Sequence, residues 1–174
     1  MQHASKLLRE NGLSVSLALL VVVALVGHAL AGYGTYRQEL AQHGAEAAGM
    51  LAYLGSGHFL ESFFENCESE FLQMALFVLA AAKLRQKGSA ESKSLDGEDE
   101  VDEDPRKHRD DPSAPWPVRR GGLVLRLYEH SLSLSLFALF AFSFAMHAVH
   151  GLRLTNQEQA LHGAAPRSLG TYVT

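Results

Sequence analysis

Leu13 to Tyr33 reads LSVSLALLVVVALVGHALAGY and carries no charge. Leu132 to Val149 reads LSLSLFALFAFSFAMHAV and carries none either. Crossing a bilayer's hydrocarbon core takes roughly 20 apolar residues, within a range of about 17–25. Both runs meet that length, and a chain this short could hardly bury two such surfaces in a soluble core. The pattern predicts membrane helices over about 13–33 and 123–152. Between them, Phe71 to Leu84 is a shorter apolar stretch broken by Gln73. Alone it would suggest a core or interfacial helix. Its flanks extend it, because no proline occurs from His58 to Arg85. Leu60, Phe63, Phe64, Cys67, Phe71, Met74 and Val78 recur at helical spacing. A middle helix is expected over about 58–86, apolar at its end and amphipathic at its start, where Glu61, Glu65 and Glu68 share a face. The segment His58 to Glu68 could also stand apart as a short outer helix.

Charge placement turns these helices into a topology. From the end of the first helix to Phe71 the only basic residue is Arg37. After Leu84 come Arg85, Lys87, Lys93, Arg106, Lys107, Arg109, Arg119, Arg120 and Arg126. Lys6 and Arg9 precede the first helix. Loops rich in Lys and Arg stay in the cytoplasm. The N-terminus is therefore expected inside, residues 33–66 outside, residues 85–128 inside and the C-terminal tail outside. That scheme requires the middle helix to cross. Ala29-Leu30-Ala31 resembles a signal-peptidase site, but the apolar run exceeds the roughly 7–15 residues of a signal h-region. The first helix is read as uncleaved.

The chain also writes one phrase twice. HALAGYGTYRQELAQHGA begins at His28, and HAVHGLRLTNQEQALHGA begins at His147. Displaced by about 119 residues, the sequence matches itself without a gap. Leu8, Glu10, Leu13, Ser14, Ser16 and Leu17 meet Leu127, Glu129, Leu132, Ser133, Ser135 and Leu136. His28, Ala29 and Gly32 meet His147, Ala148 and Gly151. Gln38, Glu39, Ala41, His43, Gly44 and Ala45 meet Gln157, Glu158, Ala160, His162, Gly163 and Ala164, and Tyr53 meets Tyr172. Leucine and alanine coincidences are common in membrane segments, but the His, Gly, Gln and Glu matches extend beyond the apolar run. Internal duplication accounts for them. The expected fold is all-α and polytopic, with three transmembrane helices making one and a half copies of a two-helix repeat. Residues 1–87 form the first unit and residues 118–174 the partial second. Because each complete unit would cross twice, the repeats are parallel rather than inverted.

Residues 88–117 separate the units, reading GSAESKSLDGEDEVDEDPRKHRDDPSAPWP. Acid, Ser and Pro dominate, so the stretch buries too little apolar surface to order itself. It is expected to be a disordered cytoplasmic linker. DGEDEVDED lacks the glycine and closing glutamate spacing of a calcium loop. Trp116, the single tryptophan, suits the headgroup level. Arg119 and Arg120 beside it can meet anionic lipid, each worth roughly 1 kcal/mol. These three are read as a membrane anchor, and nucleic acid is a poor alternative for them.

The whole chain carries 15 basic and 19 acidic residues, for a net charge of -4. The single cysteine, Cys67, excludes an internal disulfide and a cysteine zinc cluster. Polar residues within spans are the functional candidates. His28 and His147 lie late in their helices, and His150 shares a face with His147. With His43 these histidines are weak candidates for a metal site, since imidazole nitrogens suit transition metals. No carboxylate stands at metal-motif spacing beside them, and interfacial or packing roles compete. Glu61, Glu65, Glu68 and Glu70 form an acidic outer segment, either a solvated face or a cation-attracting vestibule. Ser14, Ser16, Ser133 and Ser135 fit close helix packing. No nucleophile elbow, P-loop, dinucleotide fingerprint or zinc-protease helix is present, and no cofactor is expected.

The stretches LRENGLS, HGAEAAGMLAYLGSGHFLESFFENCESEFLQMALFVL, RQKGSAESK, WPVRRGGLVLRLYEHSLSLSL and NQEQALHG resemble a bacterial family of uncharacterised multi-helix membrane proteins, catalogued as a domain of unknown function. The resemblance covers nearly the whole chain apart from the acidic linker. The family pattern has a tryptophan where this chain has Cys67, and completes a second unit to give four helices, so this chain looks C-terminally short. The resemblance implies a multi-pass protein of the bacterial inner membrane and carries no activity. The leading expectation is a non-enzymatic protein that packs with lipid, with a partner, or with a second copy through its unpaired third helix. The alternatives are a small cation transporter or channel subunit and a histidine-dependent membrane metalloprotein.

Overall fold

The computed structural model describes residues 2–87, Ser89, Ser92 and residues 103–173. Among them the chain is all-helical, with no strand. The helices are α1 (Gln2–Gln42), α2 (Met50–Leu54), α3 (Gly57–Lys83), α4 (Trp116–Arg120), α5 (Gly122–Glu129), α6 (Ser131–Leu161) and α7 (Leu169–Val173), with a 3₁₀ turn at Pro105–His108. Helices α1 and α6 run past their expected ends near 33 and 152, whereas α3 stops at Lys83, short of 86, and the helix expected from 123 is split into α5 and α6 at His130. Polar ends such as TYRQELAQ and LTNQEQAL lack proline and simply continue the helix.

Helix α1 is broken at Asn11, where φ is -126° and ψ 24°. Asn and Gly adjoin there, a pair that favours turns over helix. His130, with φ -105° and ψ 12°, separates α5 from α6 in the same way. Both long helices then end alike. Ala45 N–H bonds to Leu40 C=O at 2.9 Å and Gly44 N–H to Ala41 C=O at 3.1 Å. Ala164 N–H bonds to Gln159 C=O at 2.8 Å and Gly163 N–H to Ala160 C=O at 3.2 Å. These are paired Schellman closures. They require a left-handed residue, and Gly44 (φ 67°) and Gly163 (φ 66°) supply it. A five-residue helix follows each: α2 after the first, α7 after the second.

Two helices are long and apolar enough to cross a membrane, Glu10–Gln42 and Ser131–Leu161. The expectation of three is corrected to two on this measure. Helix α3 is continuous through both the amphipathic and the apolar stretch. It carries Glu61, Glu65, Glu68 and Glu70 in its first half, which leaves too short a charge-free window. Each apolar helix is almost bare, with 6% of its most apolar stretch buried.

The residues fall into two compact units. One comprises Met1–Ser62 and Ala148–Thr174. Its centre is Tyr53, 1% exposed. In it the start of α3 runs against the end of α6, where a side chain at Gly57 would press on the backbone of His150 and Leu154. The other unit is Phe63–His147. There Ala75 of α3, Ser143 of α6, Val118 and Leu125 are buried. Small residues at such positions let helices approach closely. Phe64 and Phe142 meet edge to face at 5.9 Å between ring centres.

Residues 88–102, the first half of the expected disordered linker, lie outside the described residues apart from Ser89 and Ser92. The described residues resume at Glu103. Asp104 caps the 3₁₀ turn by accepting from Arg106 N–H at 3.0 Å. Glu103 receives Lys107 Nζ and His108 Nε2, each at 3.2 Å. These exposed contacts surround a single turn between Asp104 and Arg109.

Candidate functional site

Tyr53 on α2 stands at the centre of a cluster of aromatic and histidine side chains in the first unit. Its hydroxyl presses on Gly32 of α1, so a Cβ at that position would collide with it. Its ring lies 5.4 Å from Tyr33, 5.2 Å from Tyr36, 5.8 Å from His58 and 5.5 Å from Phe59. Tyr33 Oη donates to Ala48 C=O at 3.0 Å, which ties the loop before α2 back to α1. His28 is packed 5.5 Å from Phe59. Burial pushes the Tyr53 phenol above its usual pKa, and the Glu39 carboxylate adds to the shift.

The second half of the doubled phrase builds a matching element. The Tyr172 hydroxyl of α7 presses on Gly151 of α6. Asn156 brackets Arg167, accepting from its N–H at 2.7 Å and donating Nδ2 to its C=O at 3.1 Å. The two phrase ends then meet. His43 and His162 stand edge to face, 5.4 Å between ring centres. His43 Nδ1 lies 2.9 Å from Glu39 C=O. A carbonyl only accepts, so Nδ1 is the donor in this bond.

A cavity of about 470 Å³ opens beside this pair. Its polar wall holds Glu39, Glu158, His43, His58 and His162, with Tyr36 and Leu154 among its apolar neighbours. His58 Nε2 is 3.3 Å from Glu39 Oε2. His58 Nδ1 is buried without a hydrogen-bond partner among the described residues. The arrangement can exchange protons or attract a cation. His58 and His162 were not expected here. His162 was visible as the duplicate of His43, whereas nothing in the local sequence marks His58.

The four expected histidines are not brought together. His43 joins the cavity, and His28 packs on an aromatic ring. His150 is buried, 4% exposed, in the α6 wall facing Gly57. In the second unit His147 Nδ1 meets Glu68 Oε2 at 2.9 Å. Among the described residues no group of three or more His, Cys, Asp or Glu side chains is placed to hold a metal ion. Trp116 and Arg120 form a cation–π pair at 5.2 Å, with Trp116 55% exposed. That leaves an amphipathic surface on α4.

These features define an all-helical protein with two helices of membrane-crossing length. The chain belongs to the DUF6766 family, a domain of unknown function, which matches residues 4–174. No curated protein and no solved structure matches it.

Proposed function

We propose that this is a non-enzymatic integral protein of the bacterial inner membrane, which works by packing with lipid, with a partner, or with a second copy of itself. The observation that carries this reading is the bareness of its two apolar helices. Leu19, Leu20, Val23, Leu139 and Phe142 are all more than 40% exposed. In water such surfaces would drive aggregation, whereas in hydrocarbon they need no cover.

Helix α3 is the third crossing in this reading. Its 27 residues span about 40 Å at 1.5 Å per residue. Pairing with His147 compensates the Glu68 carboxylate, lowering the cost of a charge near the outer boundary. The basic residues after Leu84 then stay inside. The broken helix, the glycine closure, the short helix and the tyrosine on glycine recur at the same displacement. They support one exit-and-cap module written twice, both copies at the outer surface. The bare faces of α1 and α6 are the surfaces offered to lipid or to a second copy.

Reporter fusions test the topology. A periplasmic and a cytoplasmic reporter are placed after Gly49, after Gly97 and at Thr174. Periplasmic, cytoplasmic and periplasmic signals are expected in that order. A periplasmic signal at Gly97 overturns the third crossing.

A second reading has its own observation: the outer cavity holds two carboxylates and three imidazoles. A cation-conducting subunit would use such a vestibule. Cation flux into liposomes that contain the purified protein, lost with Glu39→Gln and Glu158→Gln together, would establish it. No flux with either protein returns the cavity to a packing role.

A further inference from the structure

A second cavity, of about 540 Å³, lies wholly within the Phe63–His147 unit. The 3₁₀ turn packs on α4, and α4 packs on α5. Arg106 and Arg109 come from the turn and Arg126 from α5, so three guanidinium-bearing residues line one space. Arg106 Nε has a distant contact with Asp104, at 3.9 Å. Arg109 and Arg126 make no ion pair among the described residues. The nearby Asp111 carboxylate is taken by the hydroxyl and N–H of Ser113, at 2.7 and 2.8 Å.

The backbone adds donors. Gly121 has φ 68° and ψ -163°, a region open essentially to glycine alone, and Gly122 has φ 62°. This double glycine starts α5 without any side-chain cap. The first-turn N–H groups of a helix have no acceptor of their own, and Gly122 and Leu123 line the cavity. Arginine forks with free helix-start amides are the donors that phosphate oxygens take. The remaining wall is apolar, built on buried Val118 and Leu125 with exposed Leu123 at its edge.

We propose that this cavity binds a phosphate ester, with the headgroup of an anionic phospholipid as its source. The apolar wall gives the glycerol and upper acyl chain a place that a free phosphate would not use. The Trp116–Arg120 pair lies on α4, which forms part of the same cavity. Helix α5 ends at Glu129, and the apolar helix α6 begins at Ser131. The lipid source rests on the membrane reading above, whereas the phosphate chemistry does not.

The test uses the full chain in a non-ionic detergent, so that it does not depend on topology. Binding is titrated with short-chain phosphatidylglycerol, short-chain phosphatidylcholine and inorganic phosphate. The proteins are the wild type, Arg109→Ala with Arg126→Ala, Arg109→Lys with Arg126→Lys, and Arg37→Ala with Arg153→Ala. Helix content by circular dichroism and elution volume establish that each variant is folded. Phosphatidylglycerol is expected to bind saturably and more tightly than phosphatidylcholine. The Arg109/Arg126 alanine pair should weaken it by at least about tenfold, a change of 1.4 kcal/mol. The lysine pair should recover part of the loss, because charge survives without the fork. The Arg37/Arg153 pair, in the other unit and outside the cavity, should bind as the wild type does. Saturable binding of inorganic phosphate that matches the lipid and is lost in the same alanine pair supports the phosphate site and overturns the lipid source. Equal binding by a folded alanine pair, or no binding of any phosphate, overturns the site.

Discussion

A tyrosine hydroxyl set against a helical glycine leaves no room for one further carbon. Tyr53 on Gly32 and Tyr172 on Gly151 are both of this kind. Gly32→Ala should therefore push Tyr53 out of its seat, at a cost in the usual overpacking range of about 1–3 kcal/mol. Thermal unfolding in detergent should show a lower Tm. The double variant Gly32→Ala, Tyr53→Phe should recover part of the loss, because it removes the colliding oxygen. A double variant no better than Gly32→Ala would mean that the contact is not what costs. Tyr53 makes a second prediction. Its pKa is raised, first by burial and then by Glu39. A group whose folded pKa is raised contributes stability that is present below its unfolded pKa, about 10 for tyrosine, and lost as pH rises through the folded value. Absorbance titration of the five tyrosines should show a late-ionising one, absent in Tyr53→Phe. Helix content should fall only after that step begins.

At the scale of elements, Gly44 and Gly163 close the two long helices in the left-handed conformation. An L-residue pays about 1–2 kcal/mol there. Gly44→Ala and Gly163→Ala should each lower stability by about that amount in urea or thermal unfolding. Similar losses are expected because the two closures have the same hydrogen bonds. The sequence displayed this pairing plainly, since HGA occurs in both copies of the phrase. It also displayed α1 and α6, because a run without charge can hardly be anything but helix at that length. It did not display α2 or α7. Five residues carry too little periodicity, and both helices are held by tyrosine and loop contacts with the long helix. The His43–His162 contact joins residues far apart in sequence, so no local pattern could announce it. The arginine cavity was hidden for another reason. Composition marked residues 88–117 as solvated, and it does not show that Glu103, Asp104 and Asp111 each meet a specific neighbour. Charge counted along a chain does not reveal charge that is paired.

At the scale of the whole molecule, the question is which solvent the bare helices face. Val23 is 60% exposed, Leu139 43% and Leu51 88%. In a water-facing protein, a change to lysine at any of the three would be worth about ±0.5 kcal/mol, as at most surface positions. In lipid the answers separate. A lysine at the centre of a membrane helix costs about 2.5–3.5 kcal/mol on the insertion scale. Val23 and Leu139 lie midway along their charge-free runs, whereas Leu51 is on the short helix α2. Val23→Lys and Leu139→Lys should therefore shift the insertion equilibrium against the membrane by well over tenfold. Leu51→Lys, the most exposed of the three, should do nothing. Quantifying each variant in membrane and soluble fractions of the expressing cell checks this. If Val23→Lys and Leu139→Lys stay as membrane-bound and as stable as Leu51→Lys, those faces do not meet hydrocarbon. The bareness of α1 and α6 would then need a protein partner to cover it, and the lipid source proposed for the arginine cavity would lose its support. The phosphate titrations in detergent would still stand by themselves.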